Sequence, residues 1–231
     1  MAERIIALVP SAGSGKRFGK DKAYVELKGV PVLIRTLMAL ERIKEIVEII
    51  PVLRKEVLEE AVKLIESYGL KKVKQVAPGG RERFHSVYNG LRLIKDENSL
   101  VLVHDGVRPL VTETLVRRLI DGLSDFDGVV PVVAVKDTVK EVKQGMVVKT
   151  LDRAILCNVQ TPQLFRFSSL RDAYLSAHKS SGAFTDDAQV VEAWGGRVAV
   201  VEGDYRNIKI TTPEDLKIAE LFYTQMQRSS G

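Results

Sequence analysis

Short β-branched runs alternating with amphipathic stretches constrain this chain more than any other feature of its sequence. Residues 5–9, Ile-Ile-Ala-Leu-Val, read as a buried strand, 32–43 as a helix, 47–53 as a strand, and 55–68 as a helix that Gly69 stops. The alternation continues with a strand at 73–76, a helix at 82–94, a strand at 100–103, and a helix at 112–123 with Thr112 as its N-cap and Glu113 in its first turn. A further apolar run follows at 128–135. Strands separated by single helices imply right-handed βαβ crossovers and a mostly parallel, twisted α/β sheet covered on both faces. Ligands of such sheets sit beyond the carboxyl ends of the strands. The loops after Val9, Val76 and Val103 are therefore expected to converge on one crevice.

The pattern breaks at 138–150, where polar and apolar residues alternate around Gln144-Gly145, a β-hairpin signal. A hairpin set into such a domain is an arm, here spanning about 137–158. Unpaired strand edges are a liability, so the expectation is a dimerisation arm that pairs with its symmetry mate, against the alternative of a solvated excursion. Helical patterns near 168–178 and 186–194 and a strand at 198–201 follow. A last helix begins at Thr212, with Pro213 in its first position and Glu214 and Asp215 in its first turn, and 228–231 reads as a frayed tail. Across 231 residues there is no repeat or linker, so one domain carrying an arm is the economical organisation.

The loop after the first strand, Pro10-Ser11-Ala12-Gly13-Ser14-Gly15-Lys16-Arg17-Phe18-Gly19-Lys20-Asp21-Lys22-Ala23-Tyr24, combines small residues with cations. Small residues let backbone N–H groups approach a ligand closely, and Arg and Lys compensate an anion. A phosphate is the natural occupant. A Walker-type loop would need glycine where Phe18 or Lys20 stands, and a dinucleotide fingerprint would need a small residue at Phe18. The loop is thus expected to be a phosphate cradle of another kind, with Arg17 and one or more of Lys16, Lys20 and Lys22 turned inward. A Gly-rich βα turn with a solvated basic flank is the plainer alternative.

Composition excludes more than it selects. The net charge of +5 is spread along the chain, which suits small anionic substrates and does not call for nucleic acid; no basic run is interleaved with aromatics. No apolar run approaches the roughly 18 residues of a membrane span, so no membrane partner is expected. The single cysteine, Cys157, has no partner for a disulfide or a CxxC site, which fits a reducing, cytoplasmic setting, and it reads as small and semi-buried.

Four further motifs fall at strand ends or lead into a helix: Gly79-Gly80-Arg81-Glu82-Arg83 with Ser86, His104-Asp105-Gly106-Val107-Arg108-Pro109, Gln160-Thr161-Pro162-Gln163, and Asn207-Ile208-Lys209 ahead of Thr211-Thr212-Pro213-Glu214-Asp215. Together with the first loop, in this order and over nearly the whole chain, they resemble the 2-C-methyl-D-erythritol 4-phosphate cytidylyltransferases (IspD family) of the non-mevalonate isoprenoid pathway. The resemblance implies a Rossmann-like nucleotidyltransferase fold and transfer of CMP from CTP to methylerythritol 4-phosphate, with release of pyrophosphate and Mg²⁺ as helper. It implies that Arg17 and Lys22 stabilise charge on the α-phosphate, and that Lys209 and Arg153 place the sugar phosphate. Asp105, Arg108, Thr138, Thr161 and Thr185 would line the sugar-phosphate pocket. Gly80 and Ser86, with the backbone around Ala12 and Gly13, would form the cytosine site, and Gly15 and Arg83 belong to the same CTP site. Thr138 and Arg153 lie on the arm, so the resemblance implies a homodimer in which each arm completes the neighbour's pocket.

The match has departures. The usual Pro-Ala-Ala-Gly is Pro10-Ser11-Ala12-Gly13, Phe18 replaces a common Met, and Pro-Lys-Gln-Tyr is Asp21-Lys22-Ala23-Tyr24, so that Lys22 rather than Lys20 is chosen by its spacing to Tyr24. Asp-Ala-Ala-Arg-Pro becomes Asp105-Gly106-Val107-Arg108-Pro109, and Thr185-Asp186-Asp187 has Asp where Glu is common. Alternatives stay open at single residues. Asp105 could cap a turn, pair with Arg108 or bind Mg²⁺, though phosphate oxygens commonly supply most ligands of that ion. Ser86 could be a surface hydroxyl, Lys209 an exposed strand residue, and His104 is expected to pack beneath its loop.

The residue types suit the chemistry independently. A phosphate monoester has a second pKa near 6 and is largely a dianion at neutral pH, so its attack needs no strong base. Repulsion between two polyanions calls instead for positioning and cations. The competing readings are a cytidylyltransferase for ribitol 5-phosphate or another alditol phosphate, and a non-catalytic nucleotide-binding module.

Overall fold

The run after Arg4 forms a strand with every residue from Ile5 to Val9 buried. Its two faces feed different cores. The computed structural model describes residues 4–13, 24–178 and 184–229. In chain order β1 (Ile5–Pro10) is followed by a short hairpin of β2 (Glu26–Leu27) and β3 (Val30–Pro31), then α1 (Val32–Glu41), β4 (Ile46–Leu53), α2 (Leu58–Ser67), β5 (Ala77–Pro78), α3 (Arg83–Leu91), β6 (Leu100–Val103), α4 (Glu113–Leu123) and β7 (Gly128–Ala134). The arm strands β8 (Lys140–Lys143) and β9 (Met146–Thr150) come next, then β10 (Cys157–Val159), β11 (Gln163–Arg166), α5 (Phe167–Ala177), α6 (Asp187–Trp194), β12 (Val198–Glu202) and α7 (Pro213–Ser229).

β1 pairs in parallel with β4 on one side and β6 on the other, and β4 pairs in parallel with β5. β12 pairs in parallel with one edge of β7. The other edge of β7 takes β10 and β11, both antiparallel, and β11 also joins β6, so that a reversed strand bridges two parallel halves. Ile5, Ala7 and Val9 pack with α1, α2 and α4, whereas Ile6 and Leu8 pack with α3, α5 and α6. This two-sided burial is why the strand reads as an unbroken apolar run. A third cluster, Leu27, Val32, Val107, Leu110, Ile210 and Ala219, seats α7 against the chain before it.

Local signals behave as their chemistry requires. Thr112 Oγ1 accepts from Leu115 N–H at 3.3 Å at the start of α4. At α7 Thr212 Oγ1 accepts from Asp215 N–H at 3.3 Å, and Asp215 Oδ2 accepts from Thr212 N–H at 2.8 Å. That is a reciprocal cap with Pro213 in the first helical position. Gln144 and Gly145 both have positive φ, +49° and +79°, as a two-residue hairpin turn needs.

Three expectations are corrected, and one strand is added. The edge strand lies at Ala77–Pro78, because only there does the chain reach Val52 and Leu53; Val73 contributes one isolated bridge to Ile49. β11, a strand the sequence did not announce, lies antiparallel between β6 and β7, within the mostly parallel sheet that was expected. Cys157 is exposed, since β10 leads off the arm at the sheet's margin. α7 runs to Ser229, so Arg228 is helical and not part of a frayed tail.

Candidate active site

The chain leaves β1 outward through β4 and β5, then returns to place β6 on the other side of β1. The order therefore reverses between β1 and β6, where a doubly wound sheet opens a crevice beyond its strand ends. A cleft of about 380 Å³ lies there, lined by the loop Pro10–Gly13, by Gly80, Arg83 and Ser86 after β5, and by Asp105, Val107 and Lys209. The expected convergence of three loops is met. Backbone bonds hold it: Ser11 N–H reaches Val52 O at 2.8 Å and Gly79 N–H reaches Leu53 O at 2.6 Å. At Gly79 an added Cβ would stand 2.3 Å from Ala12 Cβ, so the two loops touch. Ser86 is buried rather than a surface hydroxyl, and its Oγ accepts from Gly80 N–H at 3.0 Å while donating to Glu82 O at 3.1 Å. It shapes the glycine loop from behind.

One buried carboxylate organises the cleft's charge. Asp105 Oδ2 lies 2.9 Å from Lys209 Nζ and 3.4 Å from Arg108 Nε, and its Oδ1 lies 3.7 Å from Arg83 Nε. Burial pushes the Asp105 carboxyl up, but Lys209, Arg83 and Arg108 outweigh it and hold the group well below the usual carboxylate range. Arg108 is shifted down, burial prevailing over Asp105. Lys209 stands between Ile208 and the fully buried Ile210, whose N–H donates to Val107 O at 2.9 Å; strand-like alternation turns the lysine the opposite way, into the cleft. With Asp187 also paired to Arg83, two carboxylates stand against three cations, which leaves the cluster net positive. That is what a phosphate dianion requires.

A layer of neutral hydrogen bonds fixes Asp105. His104 is fully buried, and burial lowers its pKa to about 4, so it is uncharged at neutral pH. Its Nε2 is 3.0 Å from Arg108 O, which can only accept, so Nε2 carries the proton. Nδ1 then accepts from Thr161 Oγ1 at 3.2 Å, and Thr161 Oγ1 in turn accepts from Asp105 N–H at 3.0 Å. Asn207 Nδ2 donates to Thr161 O at 2.8 Å and Arg108 Nη1 to Asn207 O at 2.8 Å, tying the 104–109 loop to the segment carrying Lys209. His104 packs beneath its loop, as expected. Thr161 supports the pocket from within, and Asp187, which the sequence reading did not assign, holds Arg83 through two bonds of 2.9 and 2.6 Å.

Other expected residues stand apart. Thr185 is exposed ahead of α6, its N–H and Oγ1 donating to Gln189 Oε1 at 2.7 and 3.1 Å. Thr138 and Arg153 are exposed on the arm, where Arg153 Nη1 donates to Lys136 O at 2.6 Å. Gly15, Arg17 and Lys22 lie outside the described residues. Asp105 does not suit a metal ion, since its carboxylate already faces three cations, and among the described residues no cluster of three His, Cys, Asp or Glu side chains could hold one. Nor is any helix among them long and apolar enough to cross a membrane.

Fold and cleft together define a nucleotidyltransferase of the doubly wound α/β kind. The family described as 2-C-methyl-D-erythritol 4-phosphate cytidylyltransferase matches residues 5–225, and the chain belongs to that family. A protein of that name from Bacillus licheniformis is 40% identical over 224 residues, covering 96% of either chain, and one from Geotalea uraniireducens is 44% identical over 226 residues, covering 95% of this chain and 96% of that one. The crystal structure of 4-diphosphocytidyl-2C-methyl-D-erythritol synthase from Anaerococcus prevotii superposes with a TM-score of 0.83 at 35% identity, covering 97% of this chain and all of that one.

Proposed function

We propose that this enzyme transfers CMP from CTP to 2-C-methyl-D-erythritol 4-phosphate, giving 4-diphosphocytidyl-2-C-methyl-D-erythritol and pyrophosphate. The observation that carries the reading is the meeting, at one switch point, of a small-residue loop for a nucleotide with a triply cationic carboxylate for a second phosphate. An acceptor phosphate oxygen attacks the α-phosphorus, a new P–O bond forms, and the bond to the β-phosphate oxygen breaks. The acceptor arrives largely as a dianion, so no side chain has to take a proton. The neutral, fully bonded His104 suits that requirement, because it positions and does not titrate in the working range.

In this reading Ala12, Gly13, Gly15, Gly80, Arg83 and Ser86 form the CTP side, and Arg17 and Lys22 offset charge developing at the α-phosphate. Lys209, Asp105, Arg108, Thr161 and Thr185 form the acceptor side, and Mg²⁺, when bound, would be held by the nucleotide's phosphate oxygens and would add positive charge there. We further infer a single domain that dimerises through its arm, so that Thr138 and Arg153 complete the neighbour's pocket. In support, Val142, Met146, Val147, Val148 and Ile155 are all more than half exposed on the arm, an apolar surface that a second arm would cover. The lone Cys157 suits a reducing compartment, and we place the enzyme in the cytoplasm.

The test is pyrophosphate release by the purified protein with CTP, Mg²⁺ and a panel of alditol phosphates. Release with methylerythritol 4-phosphate, and little with ribitol 5-phosphate, is expected. A preference for ribitol 5-phosphate would move the assignment to that acceptor, and no release with any acceptor would leave a nucleotide-binding module.

A further inference from the structure

Asp187 is fully buried at the first position of α6, yet its carboxylate is committed to a residue of the cleft. Arg83 Nη1 donates to Oδ1 at 2.9 Å and Nη2 to Oδ2 at 2.6 Å, a two-pronged pair that fixes a guanidinium in plane and direction. Tyr174, 1% exposed, donates its hydroxyl to the same Oδ1 at 2.6 Å. Burial and the Asp187 carboxylate hold that phenol well above its ordinary pKa, so it stays a donor. The start of α6 is itself clamped to the sheet. Gln163 on β11 accepts from Ala188 N–H at 3.1 Å and donates to Asp186 Oδ2 at 2.8 Å.

The far side of Arg83 faces Asp105, whose Oδ1 is 3.7 Å from Arg83 Nε, beyond a direct hydrogen bond. A chain of alternating charge therefore runs from Asp187 through Arg83 and Asp105 to Lys209 and Arg108. Arg83 has two carboxylates within reach, and Asp187 holds both of its terminal nitrogens. We propose that Asp187, braced by Tyr174, is a positioning residue of the reaction: it holds Arg83 at the nucleotide's glycine loop and keeps it from collapsing onto Asp105, which stays free to set Lys209 for the acceptor phosphate. This rests on the reading that Arg83 contacts CTP.

Released from Asp187, a guanidinium already beside Asp105 would close the remaining ångström and withdraw from the nucleotide. Misplacement on that scale costs about 10²-fold in rate. The test is steady-state kinetics of Asp187→Asn, Arg83→Gln and the double variant, with kcat/KM for CTP and for the acceptor determined separately. Asp187→Asn is expected to lower kcat/KM for CTP by about 10²-fold, with a smaller effect on KM for the acceptor, and to have no further effect in the Arg83→Gln background. Arg83→Gln with wild-type CTP kinetics would overturn the reading of Arg83 and this proposal with it. An impaired Arg83→Gln beside an unaffected or fully additive Asp187→Asn would overturn this proposal alone. Should Asp187→Asn fail to fold, Tyr174→Phe decides: a rise of a few-fold in KM for CTP supports the brace, and unchanged CTP kinetics overturn it.

Discussion

Gly106→Ala should damage stability and catalysis together, and Ser11→Ala should repair both. An ideal Cβ at Gly106 would lie 1.8 Å from Ser11 Oγ and 3.1 Å from both Ser11 Cβ and Leu33 Cδ1. Among the described residues, Ser11 Oγ is itself buried without a hydrogen-bond partner. The hydroxyl thus fills the space that an alanine methyl at 106 would occupy. Two departures from the family's usual residues, Ser for Ala at 11 and Gly for Ala at 106, become one exchange of a single heavy atom across the cleft floor. Gly106 does not have positive φ, so alanine is barred there by volume and not by backbone conformation. Inserting a methyl into filled space costs about 1–3 kcal/mol. Ser11→Ala alone should be neutral to stabilising, because leaving a buried hydroxyl unpaired costs about 1–3 kcal/mol while the lost packing is that of one atom. The cycle of both single variants and the double should show a coupling of about 1–3 kcal/mol, within the range for residues in contact. Each kcal/mol shifts Tm by about 2–4 °C in a domain of this size. Gly106 N–H also reaches toward Pro10 O at 3.4 Å, so relief of the clash by backbone movement separates the nucleotide loop from Asp105 and should slow turnover by about 10²-fold. Urea unfolding and turnover of the four proteins give the result. A coupling below about 0.5 kcal/mol, or a double variant no better than Gly106→Ala, would refute the exchange.

Three further outcomes follow from the site. Lys22→Ala should lower kcat by two orders of magnitude or more, about the scale of one lost preorganised charge contact; turnover within a few-fold of wild type rejects its role. His104 has a pKa of about 4 against an ordinary 6.5, so between those values the unfolded chain binds a proton that the folded one excludes. Stability should therefore fall as pH drops through that window, by about 3 kcal/mol in all, and His104→Gln should flatten the loss in urea midpoints; equal losses in both proteins contradict the assignment. If the arms are exchanged, Arg153→Ala and Lys209→Ala should each impair turnover and mixing the two chains should restore one intact site per heterodimer, whereas a mixture no more active than either impaired parent would place Arg153 in its own chain's pocket.

The switch point was legible because its signals are local: an apolar run too continuous for a one-sided strand, then small residues, and His104-Asp105 closing another such run. β11 was not. Gln163-Leu164-Phe165-Arg166 is short and without alternation, and becomes a strand only because β6 and β7 offer it edges on both sides. The shift of β5 to Ala77–Pro78 has the same origin, since an edge strand is placed by its partner. Ser86 was ambiguous because the sequence does not reveal which way a first-turn hydroxyl faces. Asp187 stood in the sequence only as an Asp where Glu is common, with no role assigned, and only the fold brings it to Arg83, 104 residues away in the chain. The tally of cations on Asp105 likewise depends on Lys209 returning from the far end of the chain.

The division of the cleft into a nucleotide side and an acceptor side meets its most direct test in Lys209→Ala, with CTP affinity measured by equilibrium binding and acceptor kcat/KM measured on the same preparation. Removing the cation that Asp105 holds at 2.9 Å should cut acceptor kcat/KM by about 10²-fold and leave the CTP dissociation constant within a few-fold of wild type. Loss of CTP affinity with acceptor kinetics intact would contradict the division.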